Sequence, residues 1–242
     1  MPMPLRWLLS LIFIAQMYLM MAVIAIAFAI PALLSRDMAF TAIHVYCNWV
    51  RASARILIGL RSEIRGPVPQ GGVIIAAKHQ SFFDIILLCS VLPRPKFIMK
   101  RELIWAPFVG QYALRIGCIP VNRGKRGAAI TKMKADVQKG TGQPGQLVIY
   151  PQGTRVAPGV TMAYKLGTGL LYDQLGQICI PAATNVGVFW PRHGILRQPG
   201  LAVMQFLPAI APGMAVPAFM KHLETQIETA STALMREAGF AP

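Results

Sequence analysis

The chain has 242 residues, enough for one sizeable domain or for one domain with an added anchor. Hydrophobic residues make up 55% and the mean hydropathy is +0.50, which is high for a soluble domain. The net charge of +15 favours anionic partners, but the basic residues are scattered and form no recognisable nucleic-acid motif, so we expect an anionic membrane and no nucleic acid.

A long apolar segment opens the chain. Within residues 7–34 only Ser10 and Gln16 are clearly polar, and no residue is charged. At ~1.5 Å per residue, a helix over this run could cross the ~30 Å hydrocarbon layer. A cleaved signal peptide is the alternative, because Arg6 precedes the run, but the run exceeds the usual apolar core of ~7–15 residues. We therefore predict membrane-anchoring helices over residues 1–62, either spanning the bilayer or inserted in one leaflet.

We further expect an inner-membrane location, with the rest of the chain on the cytoplasmic side. The first anchor helix should cover about residues 5–34, with Pro31 kinking its end. A second helix over about 37–60 either lies in the membrane interface or packs on the folded domain.

Apolar strands and helices alternate after this second helix. Predicted strands cover residues 73–77, 96–99, 119–121, 146–150, 178–181 and 201–207. Predicted helices cover residues 85–89, 128–139, 167–175 and 218–237. This alternation predicts an α/β sandwich over residues 63–242, with a central and mostly buried sheet.

A histidine and an aspartate lie between the first predicted strand and the helix after it. On one helix, the five-residue spacing of His79 and Asp84 would separate their side chains by about 140°. At a strand–loop–helix junction they can meet, so that Asp84 orients one imidazole nitrogen and the other accepts a proton from a hydroxyl. The alternative is a capping box, with Ser81 as N-cap and Asp84 only as its partner. Ser81 has no G-x-S-x-G context that would make it a nucleophile.

Basic residues follow three of the predicted strands. The run Tyr-Pro-Gln-Gly-Thr-Arg at 150–155 predicts a tight loop, whose backbone N–H groups and Arg155 can bind an anion. Arg123 suggests the same phosphate contact, with a solvated charge as the alternative. The run Lys-Arg-Glu-Leu at 100–103 either lines the same face or forms a surface ion-pair cluster.

The remaining histidines and the cysteines give no sign of a metal site. No C-x-x-C pattern occurs, and no histidine has a partner at metal-ligand spacing. We interpret Cys47, Cys89, Cys118 and Cys179 as buried apolar residues in a reducing compartment, and His44, His193 and His222 as structural. We expect neither a metal nor a bound cofactor.

These motifs, in this order, resemble the glycerolipid acyltransferases, and most closely the 1-acylglycerol-3-phosphate acyltransferase family. The motifs are His79-x4-Asp84 and the blocks 100–103, 121–123, 150–155 and 180–181, and the likeness covers about residues 65–215. The resemblance implies a glycerolphosphate-acyltransferase-like αβ sandwich. It also implies transfer of a fatty acyl group from acyl-CoA or acyl-ACP to the sn-2 hydroxyl of 1-acyl-sn-glycerol-3-phosphate, which gives phosphatidic acid for phospholipid biosynthesis.

The resemblance also implies a role for each motif residue. His79 would be the general base, and Asp84 the partner that orients it. Arg123 and Arg155 would hold the phosphate of the lysophospholipid acceptor. The acceptor site would be lined by Lys100, Arg101, Glu102, Gln152, Gly153 and Thr154. Pro181 would lie near the acyl channel.

One residue departs from the family pattern. The family usually has Glu where this chain has Gln152, and Gln cannot carry charge although it still forms hydrogen bonds. The acceptor therefore stays open, with a lyso-ornithine lipid or another lysolipid as the alternative. Two further hypotheses are a lipid hydrolase or transacylase that uses the same pair, and a catalytically silent lipid-binding protein.

Overall fold

The computed structural model describes residues 2–121 and 145–241. The helices in these ranges are α1 (Met3–Ala27), α2 (Ala29–Leu34), α3 (Arg36–Ile58), α4 (Phe83–Val91), α5 (Val109–Ile116), α6 (Gly167–Leu175), α7 (Val186–Phe189) and α8 (Val216–Glu237). The strands are β1 (Leu60–Arg65), β2 (Ile74–Ala77), β3 (Pro95–Lys100), β4 (Ile119–Val121), β5 (Gln146–Ile149), β6 (Cys179–Thr184) and β7 (Gly200–Phe206). A 3-10 helix, Arg101–Trp105, follows β3. Arg123 and the predicted helix over 128–139 lie outside the described residues.

The described strands form one seven-stranded sheet in the order β1-β7-β6-β2-β5-β3-β4. β2 pairs in parallel with β5 and β6, and β3 pairs in parallel with β5 and β4. Only the β6–β7 pair in this sheet is antiparallel. The carboxyl ends of β2, β5, β3 and β4 therefore meet at one edge, where open α/β sheets bind their ligands. The predicted α/β class with a central, mostly buried sheet is confirmed.

Helices cover both faces of this sheet. Alternate residues of β2 point into different cores, as the two-residue period of a strand requires. Ile75 packs into the core that contains α3 and α4, whereas Ile74 packs into the core that contains α6 and α8. The result is a three-layer sandwich in which α4 and α8 lie on opposite faces of the sheet.

The first helix is partly built into this sandwich. Phe13 and Met17 on α1 are buried against the main core, and the ring of Phe13 meets Trp190 edge-on at 5.4 Å. Other apolar residues of α1, such as Leu8 and Leu19, are exposed. By length and composition α1 could cross a membrane, and it is the one such helix in the described part of the chain. One side of α1 thus belongs to the protein core, and the other side is apolar and uncovered.

The predicted kink lies within the apolar run. The helix is interrupted at Phe28. Helical bonding resumes after it, since the N–H of Ala32 donates to the carbonyl of Phe28 at 2.8 Å. Pro31 explains this position, because its ring would clash with the carbonyl of Ala27, where α1 ends. The second predicted helix corresponds to α3, and it packs on the folded domain through a buried stripe that includes Val50 and Ala54.

Four elements were not predicted from the sequence, namely β1, the 3-10 helix, α5 and α7. β1 alternates charged residues with others and pairs only with β7 at the edge of the sheet, so it lacks the apolar run of a central strand. It begins at Leu60, so the last residues of the predicted anchor interval 1–62 belong to the sheet. α7 has four residues, which is too short for a helical period to show.

Replacing Phe13 should loosen α1 from the domain. We expect Phe13→Ala to lower the stability of the detergent-solubilised protein by about 3–5 kcal/mol, because the substitution leaves a cavity beside Trp190. Ile12→Ala is the matched control, since Ile12 is 44% exposed on the same helix and should change stability little. Thermal and denaturant unfolding would measure both variants. Equal losses would contradict the docking of α1 through its Phe13 side.

Candidate active site

His79 and Asp84 meet at the carboxyl edge of the sheet. His79 lies in the loop just after β2, and Asp84 lies in the first turn of α4. The Nδ1 atom of His79 is 2.9 Å from Oδ1 and 3.1 Å from Oδ2 of Asp84. The Asp84 side chain is fully buried, and the His79 side chain is 13% exposed. The predicted meeting of the two residues at a strand–loop–helix junction is confirmed.

Asp84 also organises the loop that carries the histidine. Its Oδ2 atom accepts the backbone N–H groups of Gln80 at 2.9 Å and Ser81 at 2.8 Å. Ser81 in turn accepts the N–H of Phe83 through its hydroxyl at 3.2 Å. Asp84 therefore accepts the N–H of Ser81, as the capping alternative requires, and also bonds the histidine. The predicted N-cap is wrong, because the residue at the N-cap of α4 is Phe82 and not Ser81.

Tyr150 completes the environment of the pair. Its ring stacks on the His79 imidazole, with centroids 3.9 Å apart and planes inclined by 15°. Its hydroxyl donates to Oδ1 of Asp84 at 3.2 Å. Burial and the neighbouring Asp84 carboxylate raise the pKa of Tyr150 well above its usual value, so the phenol stays protonated and remains a donor.

The imidazole is oriented with one nitrogen inward and one outward. Donation of Nδ1–H to Asp84 leaves Nε2 of His79 as the basic nitrogen. Within residues 2–121 and 145–241, Nε2 makes no hydrogen bond. One nitrogen of the imidazole is thus held by Asp84, and the lone pair of the other nitrogen can accept a hydrogen bond or a proton.

The loop after β5 lies beside the His79 loop. The N–H of Val156 donates to the carbonyl of His79 at 2.8 Å, which ties the two loops together. The tight turn depends on Gly153, whose φ of +70° is left-handed and whose N–H bonds the carbonyl of Tyr150 at 2.8 Å. Thr154 and Arg155 follow this turn and are half-buried.

Gln152 lies inside this loop and not at the surface. Its side-chain amide nitrogen donates to the carbonyl of Met162 at 3.1 Å, which fixes the orientation of the amide. Its Oε1 atom is buried and has no donor among the described residues. A buried carbonyl oxygen without a donor is unfavourable, so the described part of the loop leaves this acceptor unsatisfied.

Of the other residues assigned by resemblance, Lys100 lies at the same edge of the sheet, whereas Pro181 lies inside β6. Lys100 ends β3 at this edge and pairs with Glu102 at 3.4 Å; both side chains are exposed, as is Arg101. Pro181 is buried within β6, opposite Ala76. Side-chain alternation puts Pro181 on the face of Cys179, away from α4, so the structure does not bring it to the pair. Its role in an acyl channel stays a prediction.

A partly buried ion pair supports the His79 loop from the far side of the sheet, and sequence reasoning missed it. Lys78 is 3% exposed, and its ammonium group lies 2.7 Å from both carboxylate oxygens of Glu228 on α8. Tyr164 donates to the same carboxylate at 2.9 Å. A lysine at the end of an apolar strand signals that a partner is needed, but the partner lies 150 residues away and cannot be read from spacing.

The cysteines, His44 and His222 lie in structural contacts, whereas His193 is exposed. All four cysteines are free and buried, as predicted. His44 bonds the carbonyl of Leu92 through Nε2 at 2.9 Å, and His222 bonds Gln226 at 3.1 Å. No group of three His, Cys, Asp or Glu side chains in the described ranges has the arrangement of a metal site.

Because Asp84 bonds both the histidine and the loop backbone, Asp84→Ala should lower the free energy of unfolding more than His79→Ala does. Asp84→Ala should destabilise the protein by several kcal/mol, because two buried N–H groups lose their acceptor at about 1–3 kcal/mol each. His79→Ala removes one partly exposed donor and the ring stacked on Tyr150 but leaves both N–H bonds to Asp84 in place, so it should cost less. Thermal unfolding of the two purified variants would measure the difference. A His79→Ala loss as large as that of Asp84→Ala would contradict the loop-organising role.

Comparison with known proteins gives consistent matches. The chain is 26% identical over 195 residues to the 1-acyl-sn-glycerol-3-phosphate acyltransferase of Pseudomonas aeruginosa. This alignment covers 78% of this chain and 76% of the relative. It is 27% identical over 190 residues to the 1-acyl-sn-glycerol-3-phosphate acyltransferase alpha of Mus musculus. This second alignment covers 76% of this chain and 67% of the relative.

The fold also matches a solved structure, that of the 1-acyl-sn-glycerophosphate (LPA) acyltransferase, PlsC, from Thermotoga maritima. The TM-score is 0.78 at 17% identity, over 95% of this chain and 97% of the other. The sequence model of the Acyltransferase family matches residues 60–185, which is more than half of the chain. This segment runs from β1 through β6 and contains both the His79–Asp84 pair and the loop after β5. The chain is therefore a member of the Acyltransferase family.

Proposed function

We propose that the protein transfers a fatty acyl group to the sn-2 hydroxyl of 1-acyl-sn-glycerol-3-phosphate, giving phosphatidic acid. Membership of the Acyltransferase family and the names of the similar relatives support this reaction class and this acceptor. The observation that carries the proposal is the imidazole of His79, held by Asp84 with Nε2 available at the sheet edge. The donor in the proposal is acyl-CoA or acyl-ACP, and no further cofactor takes part.

The chemistry follows from the orientation of the imidazole. Nε2 of His79 takes the proton of the acceptor hydroxyl as its oxygen attacks the thioester carbonyl carbon. The C–S bond then breaks, and the leaving thiolate recovers the proton from the imidazolium. Asp84 accepts from Nδ1–H throughout, so its carboxylate stabilises the imidazolium while it exists. General-base assistance of this kind contributes roughly 10²–10⁴-fold, and positioning of the two substrates adds to it.

Basic side chains at the same edge suit the phosphate of the acceptor. Arg155 follows the left-handed turn at Gly153 and is half-buried beside the His79 loop. Its planar guanidinium can bind a phosphate through two parallel hydrogen bonds. In the proposal Arg123 provides a second such contact, and Lys100 and Arg101 add positive charge at the end of β3.

An apolar surface adjoins this edge and suits a membrane. The 3-10 helix after Lys100 exposes Leu103 and Trp105, the latter by 81%. α5 follows, and its Arg115 and Tyr112 bind carbonyls of α2 and of the end of α1. α5 therefore lies between the 3-10 helix and the segment formed by α2 and the end of α1. We infer that this surface contacts the inner membrane from the cytoplasmic side and delivers the lipid acceptor to the site.

The test is acyl transfer by detergent-purified protein. Labelled acyl-CoA and acyl-ACP are offered with a panel of lysolipids, and wild type is compared with His79→Ala. His193→Ala is the matched control, because His193 is an exposed loop residue. We expect transfer to lysophosphatidic acid that falls at least 10²-fold in His79→Ala and is unchanged in His193→Ala.

Other outcomes of this assay distinguish the alternatives. Transfer only to another lysolipid, such as a lyso-ornithine lipid, would keep the mechanism and change the acceptor; the uncharged Gln152 favours including this case. Release of free fatty acid without any acyl acceptor would identify a lipid hydrolase. No turnover with any donor, while a similar relative is active in parallel, would refute the enzymatic proposal and favour a silent lipid-binding protein.

Arg155 should affect acceptor binding more than the chemical step. We expect Arg155→Gln to raise the KM for lysophosphatidic acid roughly ten- to hundredfold, because a hydrogen bond to a charged group contributes about 1.5–3 kcal/mol. The maximal rate should change little. Arg61→Gln makes the same change of charge at an exposed position of β1 and serves as the control. An unchanged KM in Arg155→Gln would remove Arg155 from the phosphate site.

A further inference from the structure

A recess at the beginning of α1 shares no lining residue with the candidate active site. It is a small recess that opens to the surface. The residues that line it come from α1, from the end of α3 and from the segment before β7. They are Arg6, Leu9, Ser10, Ile58, Arg197 and Pro199. Two of the six are arginines, which is unusual for a recess under a helix that is otherwise apolar.

Arg197 is almost completely buried in this recess. It is 8% exposed, and its guanidinium carbon lies 4.5 Å from the centre of the Trp190 ring. One terminal nitrogen donates to the carbonyl of Gly194 at 2.9 Å, but Nε is buried and has no acceptor among the described residues. Burial lowers the pKa of Arg197 to about 10, so the side chain is still a cation at neutral pH.

Arg6 faces the same recess from α1. It lies on the helix stripe that continues with the buried residues Ser10, Phe13 and Met17, and so points towards the domain. Its Nε atom and one terminal nitrogen are buried and have no acceptor in the described part of the chain. It also lies near the amino terminus of α1, where the helix dipole disfavours a cation, and the first turn contains no acidic residue.

Together these features describe a site that lacks a negative charge. Two guanidinium groups line one recess, three of their N–H-bearing atoms are buried without an acceptor, and the helix dipole adds further positive potential. A buried cation without a counter-charge is strongly unfavourable, and an anion with several oxygens would satisfy these donors at once. We propose that this recess binds a phosphate group and thereby holds the amino-terminal end of α1 against the domain.

The surroundings favour the phosphate of a membrane phospholipid over a free phosphate ion. Next to Arg6 on the helix, Leu5, Trp7 and Leu8 are each more than 40% exposed. These side chains would contact lipid tails while the two arginines hold the headgroup phosphate. The two sources share the same recognition chemistry, so the experiment separates them.

The experiment compares two double variants with equal net charge. Arg6→Gln/Arg197→Gln removes the site, and Arg61→Gln/Arg236→Gln removes two exposed arginines elsewhere. Both are made in an Arg155→Gln background, so that an anion at the candidate active site does not contribute. The first readout is the thermal unfolding midpoint at increasing inorganic phosphate and constant ionic strength. The second is flotation with phosphatidylcholine vesicles that contain or lack phosphatidylglycerol.

We expect phosphate to raise the midpoint of the control, and the site variant to require at least tenfold more phosphate for the same rise. A parallel loss of flotation with phosphatidylglycerol vesicles would identify the lipid headgroup as the ligand. A loss of the phosphate response with unchanged flotation would identify a free phosphate or a soluble phosphate ester. Equal responses of both double variants in both assays would overturn the proposal.

Folding of the variants is controlled separately. Arg6→Gln alone removes no hydrogen bond to the described residues, so it should fold normally and still weaken the response. Arg197→Lys keeps the charge but not the planar fork, and an intermediate response is expected. If Arg197→Gln fails to fold, Arg6→Gln decides the question alone, and an undiminished phosphate and vesicle response would overturn the proposal.

Discussion

The fully buried carboxylate of Asp84 is the interaction on which the candidate site depends. It accepts hydrogen bonds from the His79 imidazole, the Tyr150 hydroxyl and the N–H groups of Gln80 and Ser81. A charge buried without such donors would be strongly unfavourable, so the loop, the histidine and the tyrosine are constrained together. The imidazole that we propose as the base is therefore positioned by the same carboxylate that accepts the N–H groups just before α4, so the geometry of the candidate site and the local fold depend on one residue.

The sheet transmits this constraint to the rest of the molecule. Parallel pairing of β2 with β5 brings Tyr150 directly beside His79, which neither residue could achieve through local structure. On the other face, Lys78 is fixed by Glu228 of α8, so the strand that ends at the histidine is anchored from both layers. The Lys78–Glu228 and His79–Tyr150 contacts hold two adjacent residues, and this explains how the short loop after β2 keeps one conformation at an open sheet edge.

The pair itself could be predicted from the sequence because its spacing matches a local junction, and the strand that precedes it is a plain apolar run. Tyr150, Lys78 and Glu228 could not be assigned, since their roles depend on strand order and on a helix far along the chain. β1 was missed for a different reason. Its charges suit an edge strand, and edge strands lack the apolar pattern on which sequence reasoning relies.

The apolar amino-terminal run shows where composition misleads. Residues 7–34 look like an independent anchor, yet Phe13 and Met17 are as deeply buried as the residues of the sheet. If such a helix left the domain, its core-facing apolar side would be exposed as well as its apolar outer side. Its position relative to the site is therefore fixed by α3 and by the contacts of α5 with α2.

If the outer side lies in lipid, as we propose, the bilayer must then lie at a set height beside the edge that carries His79. The hydroxyl of a lysolipid is held close to the membrane surface, so under this proposal the fixed height would bring His79 within reach of it.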